Sequence, residues 1–190
     1  KDYDAAITEV TDQLVTLSLG AAYPSAGEPA CEVTLFQCLP KTGKMETIVQ
    51  KCTELGVCTL VPVLSKRCVA QPGGNFENKR VRYQKVAEEA AKQSRRGRIP
   101  EIKGILPLDQ VDPAAFDLFI VAYEDEKNVT LKSVLKKNRA LSRVGLFIGP
   151  EGGLEPEEAA LLEGKGARCV SLGARILRTE TAGFTILSWL

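Results

Sequence analysis

Two stretches carry the residues best suited to chemistry. Phe147 to Glu158 reads FIGPEGGLEPEE: an apolar run, Val144 to Ile148, stops at Gly149-Pro150-Glu151-Gly152-Gly153, and a helix start comes at once in Leu154, Glu155, Pro156, Glu157 and Glu158. Glycines permit positive φ and let a ligand approach the backbone closely. The free N–H groups of the next helix start can hold an anion or a carboxylate. The second stretch, Leu172-Gly173-Ala174-Arg175-Ile176-Leu177-Arg178-Thr179, sets an apolar pair between two arginines and runs on through Glu180 and Thr181 into a helix. Ile176 and Leu177, beside glycine and outside any strand, can wall an aromatic ring, and Thr179 or Thr181 can cap the helix. The plain alternatives are a tight strand-to-helix turn without a ligand, and a loop folded under its own apolar side chains.

The ligand class narrows by what is missing. There is no GxxxxGK[ST] and no GxGxxG after a strand, so neither phosphate-cradling fingerprint is present. The glycine loop holds no Lys or Arg, which argues against a triphosphate; a neutral or zwitterionic nucleoside-like cofactor fits better. The chain has no histidine. This removes the commonest general base and metal ligand and excludes Ser-His-Asp and Cys-His machinery. Cys31, Cys38, Cys52, Cys58, Cys68 and Cys169 show no CxxC spacing and mostly lie in apolar periodic segments, as small hydrophobes do. Neither metal ligation nor disulfides are expected, and a reducing cytoplasmic setting is the simpler reading.

Those loops need a scaffold, and the pattern supplies one. The 190 residues, 44% hydrophobic and 26% charged, suit one sizeable core. No apolar run approaches the roughly 20 residues of a membrane helix. Residues 1 to 20 alternate apolar and polar and read as two short strands joined near Thr11-Asp12, unlike the strand-and-helix alternation of the remaining chain; 21 to 30 is a Gly/Pro/Ala/Ser linker. From 31 to 190 strands and helices alternate: strand Val33–Leu39; helix Met45–Leu55 ended by Gly56; strand Thr59–Leu64; loop Pro72-Gly73-Gly74-Asn75; helix Asn78–Arg96; strand Glu101–Leu106; strand Asp117–Tyr123; helix Thr130–Lys137; strand Val144–Ile148; helix Glu155–Gly164; strand Ala167–Leu172; helix from Thr179. Such alternation implies an α/β fold, a mostly parallel sheet with helices on both faces. Ligands then bind beyond the carboxyl ends of the strands, where three loops meet: Ala122-Tyr123-Glu124-Asp125, Gly149–Gly153 and Leu172–Thr179.

Net charge is only +1, but residues 41–103 carry 14 Lys/Arg against 6 Asp/Glu, so a basic half sits in a near-neutral protein. That suggests a polyanionic partner, with solvated helix faces as the bland alternative. The chain starts without Met and stops on LSWL, which suggests a piece of a longer protein.

Four segments in order, KMETIVQKCTELGV, KVAEEAAKQSRRGRIPEI, GPEGGLEPEE and LGARILRTETAGFTIL, resemble the RsmE family of bacterial methyltransferases, which act on N3 of a uridine in small-subunit (16S) ribosomal RNA. The likeness runs from about Val33 to the C-terminus. It implies the SPOUT superfamily fold, whose C-terminal segment threads a trefoil knot. Residues 1–20 then look like the last strands of a truncated PUA-like β-barrel. It also implies S-adenosylmethionine as cofactor, lined by Ala122, Tyr123, Gly149, Pro150, Glu151, Gly152, Gly153, Leu172, Gly173, Ile176, Leu177 and Thr179, and a homodimer around the site. For the chemistry, Arg178 is the candidate electrostatic stabiliser, with Glu180 and Glu151 as candidate bases. Glu180 has the simpler role of favouring a helix N-terminus, and Glu151 that of bracing its loop. Lys41, Lys44, Lys51, Lys66, Arg67, Arg95, Arg96 and Arg98 are the candidate contacts to ribosomal RNA or the small ribosomal subunit. Two alternatives stay open: a SPOUT enzyme methylating a ribose 2′-hydroxyl, and a non-catalytic RNA-binding module.

Overall fold

The structure, a computed structural model, describes residues 1–41, 43–70, 76–138 and 140–190. The expected loop Pro72–Asn75 lies outside the described residues. In chain order the strands are β1 (Asp2–Val10), β2 (Val15–Tyr23), β3 (Glu32–Cys38), β4 (Thr59–Leu64), β5 (Glu101–Ile102), β6 (Leu106–Pro107), β7 (Leu118–Ala122), β8 (Arg143–Ile148) and β9 (Arg168–Val170). The helices are α1 (Lys44–Glu54), α2 (Phe76–Gln93), α3 (Leu131–Lys137), α4 (Pro156–Gly164) and α5 (Thr179–Leu187). β1 and β2 form a separate antiparallel hairpin with irregular register. It runs to Tyr23, three residues into the expected linker, and Ile7 and Leu19 on it are 66% and 63% exposed.

The remaining strands make a seven-stranded sheet in the order β5-β4-β3-β8-β7-β9, with β6 also beside β4. Every pairing in it is parallel. β7 (LFIVA) and β8 (RVGLFI) are near-continuous apolar runs because both of their faces are buried. One face sets Leu35, Ile120, Leu146 and Ile148 against Ile48 and Val49 of α1, Ala87 of α2 and Ile186 of α5. The other sets Phe36, Phe119, Val121 and Phe147 against Ala159 and Leu162 of α4. On that second face Phe36, Phe116 and Phe119 pack with ring centroids 5.3 to 5.7 Å apart. Gly145 interrupts β8 for a packing reason: a Cβ there would stand 2.3 Å from Phe119 Cδ2.

The sequence expectation of one strand over Glu101–Leu106 is corrected. It is two dipeptides that pair with the start and the end of β4. Two short 3₁₀ turns, Leu108–Gln110 and Pro113–Ala115, bury Leu108, Val111 and Pro113 without a periodic signal. Because the sheet is parallel, β3, β4, β7, β8 and β9 all release their carboxyl ends at one edge.

Candidate functional site

A cavity of about 660 Å³ opens at that edge, within the range of small-molecule and cofactor sites. Its wall includes Ala122 and Tyr123 after β7, Ile148 to Glu151 and Gly153 after β8, and Ser171 to Thr179 after β9. The three loops named from sequence therefore meet. Leu172, Gly173, Ile176, Leu177 and Arg178 lie on the wall, and Ile176, at the rim, is 87% exposed.

The glycine loop is a tight turn, with Gly153 N–H donating to the Pro150 carbonyl at 3.0 Å. Gly153 has φ +70, and a Cβ there would lie 1.8 Å from Glu124 Oε1, so both conformation and space demand glycine. Gly152 is not on the wall: its carbonyl turns to Arg67, whose Nη1 donates at 3.1 Å.

Thr179, 5% exposed, begins α5 and holds the loop from behind. Its Oγ1 donates to the Gly149 carbonyl at 2.7 Å and accepts from Gln37 Nε2 at 2.9 Å. Gln37 is wholly buried and also donates to the Cys38 carbonyl. Sequence reasoning missed Gln37, though a lone amide near the end of the apolar strand VTLFQCL is the signal that marks it. Glu124, Ala174 and Arg175, members of the named loops but not of the expected cofactor set, also lie on the wall, and Lys127, Thr130, Ser171 and Ala182 were missed altogether. Thr130 caps α3 by accepting from Ser133 N–H, and a bridge between Thr130 and Ser171 draws α3 to the segment after β9.

The charges sort into groups. Glu151 Oε1 accepts the Lys41 N–H at 3.0 Å and meets Lys44 Nζ at 3.1 Å. Burial pushes the Glu151 carboxyl up, but the hydrogen bonds from the Lys41 and Glu151 N–H groups and from Lys44 outweigh it and hold it below the usual range. That makes it a poor proton acceptor near neutral pH. Lys44 Nζ also meets Glu180 Oε2 at 3.1 Å, and the two carboxylates raise the lysine's affinity for its proton. Glu180 does not line the cavity. Arg178, exposed at the mouth, makes no hydrogen bond or ion pair through its guanidinium among the described residues.

The eight cations proposed for RNA divide between the two sheet edges. Lys41, Lys44, Lys66 and Arg67 lie at the cavity edge, and Lys66 pairs with Glu155 at 2.9 Å. Lys51 pairs with Glu54 at the far end of α1. Arg95, Arg96 and Arg98 come after α2 near the strand starts, where Arg98 pairs with Glu32 at 2.8 Å. Arg96 is corrected to a structural residue: its side chain is 2% exposed, pairs with Glu28 at 2.7 Å and donates to the Thr53 and Val57 carbonyls. It has nothing left for a phosphate. Arg95 is exposed with φ 58, the left-handed step that ends α2, as Arg96 N–H returns to the Ala91 carbonyl.

Among the described residues no group of three or more His, Cys, Asp or Glu is placed to hold a metal, and no helix is long and apolar enough to cross a membrane. The six cysteines are free, and burial pushes the Cys169 thiol up to about 12.

With this geometry in place, comparison with known proteins places the chain. Residues 27–190 match the RNA methyltransferase domain family. The chain is 37% identical over 153 residues to ribosomal RNA small subunit methyltransferase E of Synechocystis, covering 79% of this chain and 50% of that one. It is 34% identical to the protein of the same name from Aquifex aeolicus, covering 84% and 68%. The crystal structure of a ribosomal RNA small subunit methyltransferase E from Neisseria gonorrhoeae, bound to S-adenosyl methionine, superposes with a TM-score of 0.82 at 26% identity, covering 97% of this chain and 76% of that one. The chain thus spans about half to two thirds of the length of these curated relatives.

Proposed function

This chain belongs to the ribosomal RNA small subunit methyltransferase E family, and we propose that it takes part in S-adenosylmethionine-dependent methylation of N3 of a uridine in 16S ribosomal RNA. The observation that carries this reading is the cavity itself. Three loop tips converge on a space lined by main chain and small or apolar side chains, with five charged residues of mixed sign, Glu124, Lys127, Glu151, Arg175 and Arg178. Mixed charge suits a zwitterionic nucleoside better than a polyphosphate, which calls for a surplus of cations.

The residues fit the cofactor on structural grounds. Gly153, held at φ +70 with the Glu124 carboxylate packed against its Cα, keeps the loop tight and its main chain accessible, and Thr179 fixes the Gly149 carbonyl. Ala122, Tyr123, Gly149, Pro150, Glu151, Gly153, Leu172, Gly173, Ile176 and Leu177 would hold it, with Thr179 and Gly152 bracing the loop. When bound, S-adenosylmethionine supplies a methyl group on a sulfonium, an excellent leaving group. The protein's share is then largely positioning. Uridine N3 must lose its proton as it gains the methyl carbon, and charge spreads onto the uracil oxygens. Arg178, unpaired among the described residues and at the cavity mouth, is placed to donate hydrogen bonds there. Glu151 and Glu180 are both engaged by Lys44, which favours a structural role for them.

Ribosomal RNA would approach the sheet edge that carries the cavity, with Arg175 and Arg178 on the cavity wall and Lys41, Lys66 and Arg67 beside the glycine loop and the start of α4 as its contacts. A trefoil knot formed as α5 returns beside β8 and α1 is part of this reading. So is a homodimer, supported by the exposed apolar residues Ile176 (87%) and Trp189 (55%). A cytoplasmic location follows from the substrate.

The test is methyl transfer from labelled S-adenosylmethionine to small-subunit RNA, with mass spectrometry of the product nucleoside. Methyl on uridine N3 is expected. Methyl on a ribose 2′-oxygen replaces the reading with the other SPOUT chemistry, and no cofactor binding replaces it with an RNA-binding module.

A further inference from the structure

Two walls of the cavity, the Gly149–Gly153 loop and the first turn of α5, are held against one strut, the segment from the end of β3 into α1. A neutral link and a charged link both start from this strut. The neutral one is Gln37 to Thr179 to the Gly149 carbonyl, with both side chains buried. The charged one starts at Lys44, the first residue of α1, whose Nζ sits 3.1 Å from Glu151 Oε1 and 3.1 Å from Glu180 Oε2. The Lys41 N–H adds a second donor to the same Glu151 oxygen. Side-chain exposures of 27%, 20% and 21% for Lys44, Glu151 and Glu180 leave the group partly shielded from water. It is therefore less screened than an ordinary surface pair, most of which contribute under about 1 kcal/mol.

We propose that Lys44 is a positioning residue for the cofactor site, sharing one ammonium between Glu151 and Glu180 so that the glycine loop stays in register with the start of α5. This rests on reading the cavity as a cofactor site. The physical reason is like-charge proximity. Both carboxylates touch one nitrogen, so they lie within a few ångströms of each other, where two negative charges repel unless a cation stands between them. Glu151 is fixed in the loop that presents main chain to the cavity, and Glu180 comes directly after the Arg178-Thr179 pair that closes it. Removing the ammonium therefore drives the two cavity walls apart, while the neutral link keeps α5 attached. Under this proposal Lys44 is reassigned from RNA contact to positioning residue, because its ammonium lies against two protein carboxylates.

Calorimetric titration with S-adenosylmethionine tests this on the wild type, Lys44→Met, Lys44→Arg and the double variant Lys44→Met/Glu180→Gln. Amide hydrogen exchange of Glu151, Gly152 and Gly153 in the cofactor-free proteins is measured alongside. Lys44→Met should weaken binding about tenfold, equivalent to about 1.4 kcal/mol, and speed exchange in the loop. Lys44→Arg should stay within about threefold of wild type, since it keeps the charge. The double variant should recover most of the loss, because it removes the repulsion together with the cation. A purely structural role for the lysine would leave the double variant as weak as the single one or weaker. Unchanged affinity with unchanged exchange in Lys44→Met overturns the proposal, and so does a loss that Glu180→Gln deepens. A wild type that binds no S-adenosylmethionine overturns the cofactor reading itself, and the exchange comparison then still decides whether Lys44 sets the loop.

Discussion

Thr179 Oγ1 donates to the carbonyl of Gly149 at 2.7 Å across 30 residues of chain, and this single bond ties the start of the last helix to the turn after β8. The same hydroxyl accepts from buried Gln37, so one threonine satisfies two groups that have little access to water.

Thr179→Val should therefore cost more than one hydrogen bond. It keeps the shape but leaves the Gly149 carbonyl without that donor and the Gln37 amide without that acceptor. Buried groups stranded in this way cost about 1–3 kcal/mol each side. A loss of about 2–3 kcal/mol in urea denaturation is expected, with Thr179→Ser within about 1 kcal/mol of wild type. Equal stability of Thr179→Val and wild type would show that the network carries no weight.

Gly153→Ala probes the cavity wall. The left-handed φ of +70 disfavours any Cβ, and Glu124 Oε1 would lie 1.8 Å from it. The left-handed conformation alone costs roughly 1–2 kcal/mol. Cofactor affinity should fall by more than about tenfold, while thermal unfolding shifts by only a few degrees because the loop is at the surface. Adding Glu124→Ala relieves the contact but not the dihedral, so recovery should be partial. Full recovery would mean that the steric contact was the whole effect.

The alternation of strands and helices, and the three loops that matter, were legible because they are local. β7 and β8 are apolar runs bounded by turn residues, and Gly149–Gly153 announces itself by composition. What escaped was long-range. Nothing near Gln37 in sequence says that its partner is Thr179, 142 positions away. Nothing near Lys44 says that it will be claimed by Glu151 and Glu180, and a lysine read only by charge looks like an RNA contact. Arg96 failed for the same reason: its role depends on Glu28 and on carbonyls of another element. The 101–106 strand broke in two because the chain between Ile102 and Leu106 leaves β4 while β4 itself runs on, and a short pattern does not reveal such a departure.

Glu151 gives a pH signature with a definite sign. Its carboxyl is held below the ordinary value near 4.5, since hydrogen bonds from Lys41, its own N–H and Lys44 outweigh burial. A depressed folded value contributes stability that is fully present above the unfolded value and lost as pH falls through the folded one. The stability difference between wild type and Glu151→Gln, about 1 kcal/mol for hydrogen bonds to a partly shielded charge, should be level from pH 8 to about 5 and shrink below about 4.5. Denaturation curves of both proteins across that range check it; a difference that grows toward acid would reverse the assigned sign.

Arg178 is predicted to act on the reaction and not on cofactor binding. Arg178→Ala should lower the methylation rate constant by about 10²–10³, the usual effect of removing one electrostatic donor, with S-adenosylmethionine affinity within about threefold. Arg178→Lys should restore little, because a point charge lacks the planar fork. Unchanged turnover in Arg178→Ala would remove this residue from the mechanism.

The central claim is that peptide groups of three converging loops hold the methyl donor. Amide chemical-shift mapping by nuclear magnetic resonance during titration with S-adenosylmethionine tests it most directly. The account predicts saturable shifts concentrated at residues 122–124, 149–153 and 171–179, with little change in the β1–β2 hairpin or near Arg96. Shifts centred elsewhere, or none at saturating cofactor, would contradict it.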